Sequence, residues 1–229
     1  MKREEVRARI EQIGVIPAVR VSSAEEARFA AEAISRGGIP IVEITMTVPG
    51  ALEVISHLVQ HTPEMLVGAG SVLDTEIARR CLDAGAQFLT TDGLDVQLVE
   101  FAVKQNVAVF PGALTPTEVI TAWKAGSDFV KVVPCAQVGG DSYIRALKAP
   151  LPQVPLIAAG GVNQLTALNF ILAGATALGV GRELIPKEAL RLRQTDRILE
   201  LARRFVSFVN NGRIQRAGRQ EFYWWHPQR

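Results

Sequence analysis

The feature that most constrains the fold of this chain is a repeated alternation of short apolar runs with longer amphipathic segments. Most runs are rich in Val, Ile, Leu or Ala, and the segment after each run carries apolar residues at helical spacing. The eight runs are residues 13–19, 41–45, 66–69, 87–91, 107–110, 128–134, 156–159 and 176–180. Because parallel strands need crossover connections, this alternation predicts a parallel sheet with helices between its strands.

Eight strand and helix units in 229 residues close most economically into a (β/α)8 barrel, the TIM barrel of the α/β class. We therefore predict one domain over residues 1–209. An N-terminal helix precedes its first strand, and its last helix is predicted to run from Thr195 to Phe208. The alternative is an open doubly wound sheet, but no dinucleotide-binding glycine motif follows the first strand.

A C-terminal extension is predicted over residues 210–229. It carries an aromatic cluster, residues 222–226, near several arginines. Aromatic residues are enriched at interfaces, so we expect this cluster to pack on the outside of the barrel or against a neighbouring subunit. Covering the mouth of the active site is the alternative.

Composition excludes several classes of protein. The formal net charge is +2, and basic residues are interleaved with acidic ones, so we expect no nucleic-acid partner. No apolar run is long enough to span a bilayer, and the N-terminus lacks the apolar core of a signal peptide, so we expect no membrane association. The two cysteines, Cys81 and Cys135, are far apart, which indicates a reduced cytoplasmic protein without disulfides.

Lys131 is the most unusual residue of the predicted strands. It stands within the apolar run 128–134, whereas Lys104, Lys124 and Lys148 fall in helix-like or turn-like surroundings. Burial disfavours the charged form of an amine, and a neutral amine is a nucleophile that forms Schiff bases with carbonyl substrates. The alternative is a lysine near a strand end whose ammonium group reaches water.

Polar residues at the carboxyl ends of the strands are the other candidates, because the active sites of (β/α)8 barrels lie there. Glu43 is the carboxylate of the second strand, and burial suits it to proton transfer, unless it is the structural partner of a buried cation. Arg20 ends the first strand, where a guanidinium can bind a carboxylate, unless it bridges to a surface loop. Ser71 follows a glycine turn, residues 68–70, of the kind that lets backbone approach a ligand closely.

The seventh and eighth strands both end in glycines. Gly160 and Gly161 follow the seventh strand, and Gly179 and Gly181 lie at the end of the eighth, each before a helix start. Backbone N–H groups at such a place suit phosphate, and this fold commonly has a phosphate site there. Arg182 adds a cation beside them, unless its side chain points to solvent.

Together these residues form motifs that resemble a known family, the 2-keto-3-deoxy-6-phosphogluconate (KDPG) and 4-hydroxy-2-oxoglutarate (KHG) aldolases. The shared motifs run in order from about Ile13 to Pro186. They are VEIT (42–45), GAGSVL (68–73), GAQF (85–88), FPG (110–112), FVK (129–131) with Pro134, and GGV (160–162). The resemblance implies a class I aldolase on a trimeric (β/α)8 barrel that needs neither a metal nor a cofactor.

The resemblance also implies roles for individual residues. Lys131 is then the Schiff-base lysine and Glu43 the general acid and base. Ser71 replaces the threonine that helps to hold the pyruvate carboxylate, and Pro111, in a shared motif, is expected beside the substrate.

Several positions depart from the family pattern, and they concern the substrate rather than the reaction. Some members have an arginine for the carboxylate after the second strand, where this chain reads TMTVP (45–49). The branch with that sequence has an arginine at the end of its first strand, as Arg20 is here, and Thr47 is expected at the substrate with it. The other departures are Thr91–Asp92 for Ser-Pro, Ala159 for a threonine, Val133 for an aromatic residue and Arg182 for a small serine.

The resulting hypothesis is a class I aldolase with a keto acid and an aldehyde as its small-molecule partners. It would cleave a 2-keto-3-deoxy sugar acid with a 6-phosphate, or 4-hydroxy-2-oxoglutarate, to pyruvate and an aldehyde, as a homotrimer. Two other classes stay open, namely another phosphate-binding barrel enzyme, such as an epimerase or isomerase, and a barrel that binds a keto acid without catalysis. No metal site is predicted, because His57 and His61 lie on a helix behind the barrel.

Overall fold

The structure, a computed structural model, describes the backbone of residues 1–225 and the side chains of residues 1–218. Its centre is a parallel sheet of nine strand segments. They are β1 Val15–Val19, β2 Ile41–Thr45, β3 Leu66–Gly70, β4 Phe88–Thr90, β5 Ala108–Phe110, β6 Gly112–Ala113, β7 Val130–Val132, β8 Leu156–Ala159 and β9 Ala177–Val180.

The sheet closes into the predicted barrel. Strand β1 pairs with both β2 and β9, and β5 and β6 stand at the two ends of the strand order. These two segments are consecutive pieces of one strand position, separated only by Pro111, which has no N–H to donate to a neighbouring strand. The nine segments therefore fill eight positions, and the predicted (β/α)8 architecture is confirmed.

The described part of the chain has ten α-helices, which lie around the barrel and at its end. They are α1 Arg3–Ile13, α2 Ala24–Arg36, α3 Ala51–His61, α4 Thr75–Asp83, α5 Val96–Lys104, α6 Pro116–Lys124, α7 Asp141–Lys148, α8 Ala167–Leu172, α9 Lys187–Arg191 and α10 Thr195–Trp225. Several begin at side-chain caps. Asp74 accepts a hydrogen bond from the N–H of Ile77, and Thr115 and Glu118 form a reciprocal capping box at α6.

Aromatic rings fill the middle of the barrel. Phe88, Phe110 and Phe129 are fully buried, with ring centroids 5.2 Å apart for the first pair and 5.1 Å for the second. Alternate residues of a strand face the same side. Thr90 follows Phe88 by two positions and Lys131 follows Phe129 by two, so both face inward in the next layer toward the carboxyl ends of the strands. The rings therefore form the floor beneath Lys131.

Helix α1 closes the opposite end of the barrel. The Nε of Arg3 lies 2.8 Å from Oδ1 of Asp128, which is only 5% exposed just before β7. The Oδ2 of Asp128 accepts a hydrogen bond from the N–H of Val109 at 2.9 Å. This carboxylate therefore joins the N-terminal helix to two strand positions.

The last helix is longer than predicted. It was expected to end at Phe208, but α10 continues to Trp225 and crosses the boundary placed between residues 209 and 210. No proline lies between Thr195 and Pro227, and the added turns contact the barrel. Arg213 donates hydrogen bonds to the carbonyls of Gln12 at 2.8 Å and of Thr176 at 3.2 Å.

The predicted packing of the aromatic cluster at residues 222–226 falls outside the described side chains. Within residues 1–225, no helix is long and apolar enough to cross a membrane. Among the side chains of residues 1–218, no group of three His, Cys, Asp or Glu is placed to hold a metal ion.

Candidate active site

Lys131 is buried in the centre of β7. Its side chain is 8% exposed, so the amine does not extend freely into solvent. The N–H of Lys131 donates to the carbonyl of Pro111 at 2.8 Å, and its neighbours across the sheet are Gly112 and Ile157. The backbone of the lysine is therefore fixed on both sides, and the predicted site residue Pro111 is one of the residues that fixes it.

Asp92 is the partner of the lysine amine. Its Oδ1 lies 3.0 Å from Nζ of Lys131, and its Oδ2 accepts a hydrogen bond of 2.6 Å from the hydroxyl of Ser71. Arg20 donates to the same Ser71 oxygen at 3.0 Å, and its Nη2 lies 3.8 Å from Oδ2 of Asp92. Three residues from three other strand positions, Lys131, Ser71 and Arg20, thus meet around the carboxylate of Asp92.

The cations around Asp92 keep it ionised. Partial burial would raise the pKa of its carboxyl, but the charge of Lys131, the hydrogen bond from Ser71 and the charge of Arg20 outweigh that effect. The pKa of Asp92 therefore lies below its ordinary value. At neutral pH the site contains a carboxylate in contact with the lysine amine.

Ser71 and Arg20 are placed differently. Ser71 is buried and has a φ of +54°, which is rare for a residue other than glycine and is typical of strained functional positions. The side chain of Arg20 is 60% exposed at the end of β1, so its guanidinium can meet a ligand that enters from solvent. The structure brings these two predicted residues together with Lys131.

Glu43 lies in β2, and its side chain reaches over Gly70 at the end of β3. It is 6% exposed, and among the side chains of residues 1–218 it has neither a hydrogen-bond donor nor an ion-pair partner. The structure therefore does not support the interpretation of Glu43 as the partner of a buried cation. A buried carboxylate without a fixed partner is free to accept a proton from a substrate.

Thr47 lies at the rim of the site rather than against the lysine. Its hydroxyl is 2.8 Å from Oγ1 of Thr45, which in turn donates to the carbonyl of Val19 at 3.1 Å. Val19 immediately precedes Arg20. The two threonines thus connect the loop after β2 to the strand end that carries the arginine.

The glycine pair after β8 allows two loops to pack closely. A Cβ on Gly160 would lie 2.8 Å from Cα of Pro134, and one on Gly161 would lie 2.1 Å from Cβ of Ala136. Both glycines also have positive φ angles, +77° and +94°. A structural reason for glycine is therefore present here whether or not an anion binds.

The backbone donors of these loops are nevertheless unused. Among the described residues, the N–H groups of Gly161, Val162, Gly181 and Arg182 have no hydrogen-bond acceptor. The side chain of Arg182 is exposed beside them. Such N–H groups can bind an oxyanion.

Two polar residues of the site were missed by the sequence analysis. Asp92 was noted only as a departure from the family pattern, although a carboxylate just after a strand is a signal for this face of the barrel. Thr90 is 1% exposed in the inward-facing layer of Lys131, and its hydroxyl has no hydrogen-bond partner within the described part of the chain. Its position could have been inferred from the alternation along β4.

Comparison with known proteins decides the family. A family model for the KDPG and KHG aldolases matches residues 6–201. The chain belongs to the KDPG and KHG aldolase family. The family predicted from the sequence motifs is confirmed, and the protein is an aldolase and hence a lyase.

Known relatives match the aldolase over nearly its whole length. A KHG/KDPG aldolase of Escherichia coli (strain K12) is 30% identical over 192 residues, which cover 84% of this chain and 90% of the relative. A KDPG aldolase of Legionella pneumophila, solved with pyruvate captured as a covalent carbinolamine intermediate, is 28% identical with a TM-score of 0.81, covering 86% of this chain and 96% of that one. The KDPG aldolase of Zymomonas mobilis ZM4, solved with 3-phosphoglycerate, is 26% identical with a TM-score of 0.81, covering 90% and 96%.

Proposed function

We propose that the aldolase uses Lys131 as its Schiff-base nucleophile and Glu43 as its proton carrier. Membership of the family makes the chain a class I aldolase that cleaves its substrate to pyruvate and an aldehyde. One observation supports this assignment. A short series of contacts joins the buried carboxylate of Glu43, unpaired among the described side chains, to the buried amine of Lys131. Glu43 covers Gly70, the adjacent Ser71 bonds Asp92, and Asp92 bonds Lys131.

The reaction begins with addition of the neutral amine of Lys131 to the 2-keto carbon of the substrate. The carbinolamine that forms takes up a proton, loses water and becomes an iminium ion, which can accept an electron pair. Pyruvate captured as a carbinolamine in the Legionella relative supports this first step. The apolar floor of phenylalanine rings keeps the site of addition away from bulk water.

Carbon–carbon cleavage follows. Glu43 takes the proton of the C4 hydroxyl, the C3–C4 bond breaks, and its electron pair moves into the iminium to leave an enamine. The aldehyde departs with the C4 oxygen as its carbonyl. Return of the proton from Glu43 to C3 gives the iminium of pyruvate, and water hydrolyses it to pyruvate and free Lys131.

The keto-acid carboxylate is assigned to Arg20 and Ser71. A guanidinium and a hydroxyl that already bond each other offer charge and hydrogen-bond donors to an anion. Thr47 is assigned to the rim of the same subsite through its link to the end of β1. Pro111 contributes by holding the backbone of Lys131.

The other end of the substrate is assigned to the loops after β8 and β9. The free N–H groups near Gly160, Gly161 and Gly181, together with the exposed Arg182, suit a phosphate. The Zymomonas relative, solved with 3-phosphoglycerate, supports a substrate that carries phosphate. We accordingly propose a 2-keto-3-deoxy sugar acid with a 6-phosphate, with 4-hydroxy-2-oxoglutarate as the smaller substrate.

We also propose a homotrimer located in the cytoplasm. The trimer rests on the resemblance of the motifs to the family, and the location rests on the two separate free cysteines. Light scattering coupled to size-exclusion chromatography tests the assembly. A mass about three times that of the 24.8 kDa chain is expected, and a mass equal to that of one chain would contradict it.

Borohydride reduction in the presence of pyruvate tests the nucleophile. The wild-type protein is expected to gain one pyruvyl group, located by peptide mass spectrometry at Lys131, and Lys131→Met is expected to gain none. Lys104→Met, at an exposed lysine that ends α5, is the matched control and should be labelled like the wild type. Label on any other lysine, or labelled Lys131→Met, would overturn the assignment.

Steady-state kinetics test the proton carrier and the substrate. Glu43→Gln should lower kcat by about 10²- to 10⁴-fold while borohydride trapping of pyruvate persists. A panel of 2-keto-3-deoxy sugar acids with and without the 6-phosphate, together with 4-hydroxy-2-oxoglutarate, identifies the aldehyde part. A phosphate requirement should appear as a higher kcat/KM for the phosphorylated member of each pair, and Arg182→Ala should reduce that difference.

A further inference from the structure

The carboxylate of Asp92 is bound by the groups that the proposed function assigns to the substrate. Lys131 contacts its Oδ1 at 3.0 Å, and Ser71 donates to its Oδ2 at 2.6 Å. Arg20 donates to Ser71 and places its Nη2 3.8 Å from the same Oδ2. The nucleophile and both groups of the carboxylate subsite thus converge on one side-chain carboxylate.

A 2-keto acid, like Asp92, has a carboxylate that Ser71 and Arg20 can bind. Its carboxylate is bonded directly to the keto carbon, so a carboxylate held by Ser71 and Arg20 brings that carbon to the amine of Lys131. We propose that Asp92 is a specificity-determining residue that occupies the keto-acid carboxylate subsite of the empty enzyme and must be displaced when the substrate binds. This inference rests on the proposed roles of Lys131, Ser71 and Arg20.

The two carboxylates cannot use these donors at the same time. A serine hydroxyl has one proton to donate, so Ser71 bonds either Asp92 or the substrate. Two carboxylates among the same cations also repel each other. Only an amine without its extra proton has the free electron pair that attacks a carbonyl, so Lys131 must release its proton as well as its contact with Asp92 before it adds to the substrate.

Displacement of Asp92 is structurally simple. Its side chain is 45% exposed, so a rotation toward solvent moves the charge into water rather than into the core. The cost of breaking its contacts is subtracted from the binding free energy of the keto acid. Small keto acids, which have few other contacts, are affected most. Because of Asp92, tight binding therefore requires contacts between the enzyme and the part of the substrate beyond its keto-acid group.

A competing role for Asp92 predicts the opposite result. If its carboxylate transferred protons during addition to Lys131, its removal would slow or weaken Schiff-base formation. If it only fills the subsite, its removal strengthens binding of keto acids. The direction of the effect separates the two roles.

The test is a pyruvate titration of the full-length protein with borohydride trapping, read by intact mass. Asp92→Asn and Asp92→Ala are compared with the wild type and with Asp83→Asn, which removes an exposed carboxylate at the end of α4, away from the site. The pyruvate concentration at half-labelling should fall about tenfold in both Asp92 variants, as expected for loss of a competing charged contact. It should not change in Asp83→Asn.

Acetone serves as a carbonyl probe without a carboxylate. Its half-labelling concentration should change much less than that of pyruvate in the Asp92 variants. An equal change for both probes would mean that Asp92 acts only through the lysine amine, and would overturn the inference. An unchanged or higher half-labelling concentration for pyruvate would overturn it as well. Absence of a pyruvyl adduct on Lys131 in every protein, the wild type included, would instead refute the proposed function together with this inference.

Discussion

Gly70 leaves the space that the carboxylate of Glu43 occupies. A Cβ built on Gly70 would lie 2.0 Å from Oε1 and 2.4 Å from Cδ of Glu43, far inside van der Waals contact. Gly70 has no positive φ, so its backbone does not require glycine. Glycine is needed at this position because the carboxylate of Glu43, the proposed proton carrier, lies where a Cβ would be.

Gly70→Ala should therefore displace the Glu43 carboxylate while the barrel stays folded. A misplacement of about 1 Å can cost a catalytic group about 10²-fold in rate, so kcat is expected to fall by at least that factor. Gly218→Ala is the control, because a Cβ there meets no atom of the described residues within 4 Å. Steady-state kinetics and circular dichroism measure the two effects, and a Gly70→Ala enzyme with wild-type kcat would show that Glu43 is not the proton carrier.

The buried pair at the opposite end of the barrel should control stability rather than activity. Asp128→Ala leaves Arg3 without its ion-pair partner and the N–H of Val109 without its acceptor. We expect the free energy of unfolding to fall by about 3 kcal/mol, seen as a lower urea midpoint. Glu11→Ala, which breaks the exposed pair with Arg7, should cost less than about 1 kcal/mol. Equal midpoints for the two variants would contradict the structural role of Asp128.

The extra turns of α10 should contribute to the stability of the barrel. Arg213→Ala removes a donor to the carbonyls of Gln12 and Thr176, and we expect a loss of about 1–3 kcal/mol in the free energy of unfolding. Arg203→Ala, at an exposed arginine of the same helix that has no partner among the described side chains, should change stability little. If thermal unfolding shows no difference between the two, residues beyond 209 are an appendage of the barrel, as the predicted domain boundary implies.

The cysteine thiols should make stability fall at alkaline pH. Burial raises the pKa of Cys81 to about 11, against a smaller opposing effect of Arg80, and burial together with Asp141 raises the pKa of Cys135 to about 11. In the unfolded chain both thiols ionise near the ordinary value of 9.0. Between pH 9 and 11 the unfolded state therefore loses protons that the folded state keeps, and the free energy of unfolding decreases as pH rises.

Urea midpoints at pH 8, 9.5 and 10.5 measure this decrease. The double variant Cys81→Ala, Cys135→Ala should show a shallower fall over the same range, although its midpoint at pH 8 is lower because two buried side chains are removed. Identical slopes for the variant and the wild type would show that other groups cause the alkaline loss.

Local pattern predicted the elements well and their ends less well. The eight apolar runs correspond to the eight strand positions, because alternation between strand and helix is written in the periodicity of neighbouring residues. The interruption at Pro111 and the continuation of α10 to Trp225 were not predicted. Both features depend on partners that are distant in sequence. These partners are the strands that pair with the segments on either side of Pro111 and the barrel residues that the added turns of α10 contact.

The residues of the candidate site were likewise predicted only in part. Lys131 stood out because an amine in an apolar run is costly, and Glu43 and Ser71 stood out because polar residues near strand ends are typical of active sites in this fold. Asp92 did not, since the residue types of Thr91–Asp92 do not reveal which cation a carboxylate will meet.

The sequence by itself determined the barrel and its family and singled out Lys131 as the proposed reactive amine, because periodicity, burial preference and motif order are properties of the chain read from end to end. Only the tertiary structure decided that Asp92 meets the amine of Lys131 and that Ser71 and Arg20 meet at Asp92. Closure of the sheet sets which strand ends become neighbours, and residues 20, 71, 92 and 131 are joined only when β1 pairs with β9 and the ring of strands is complete.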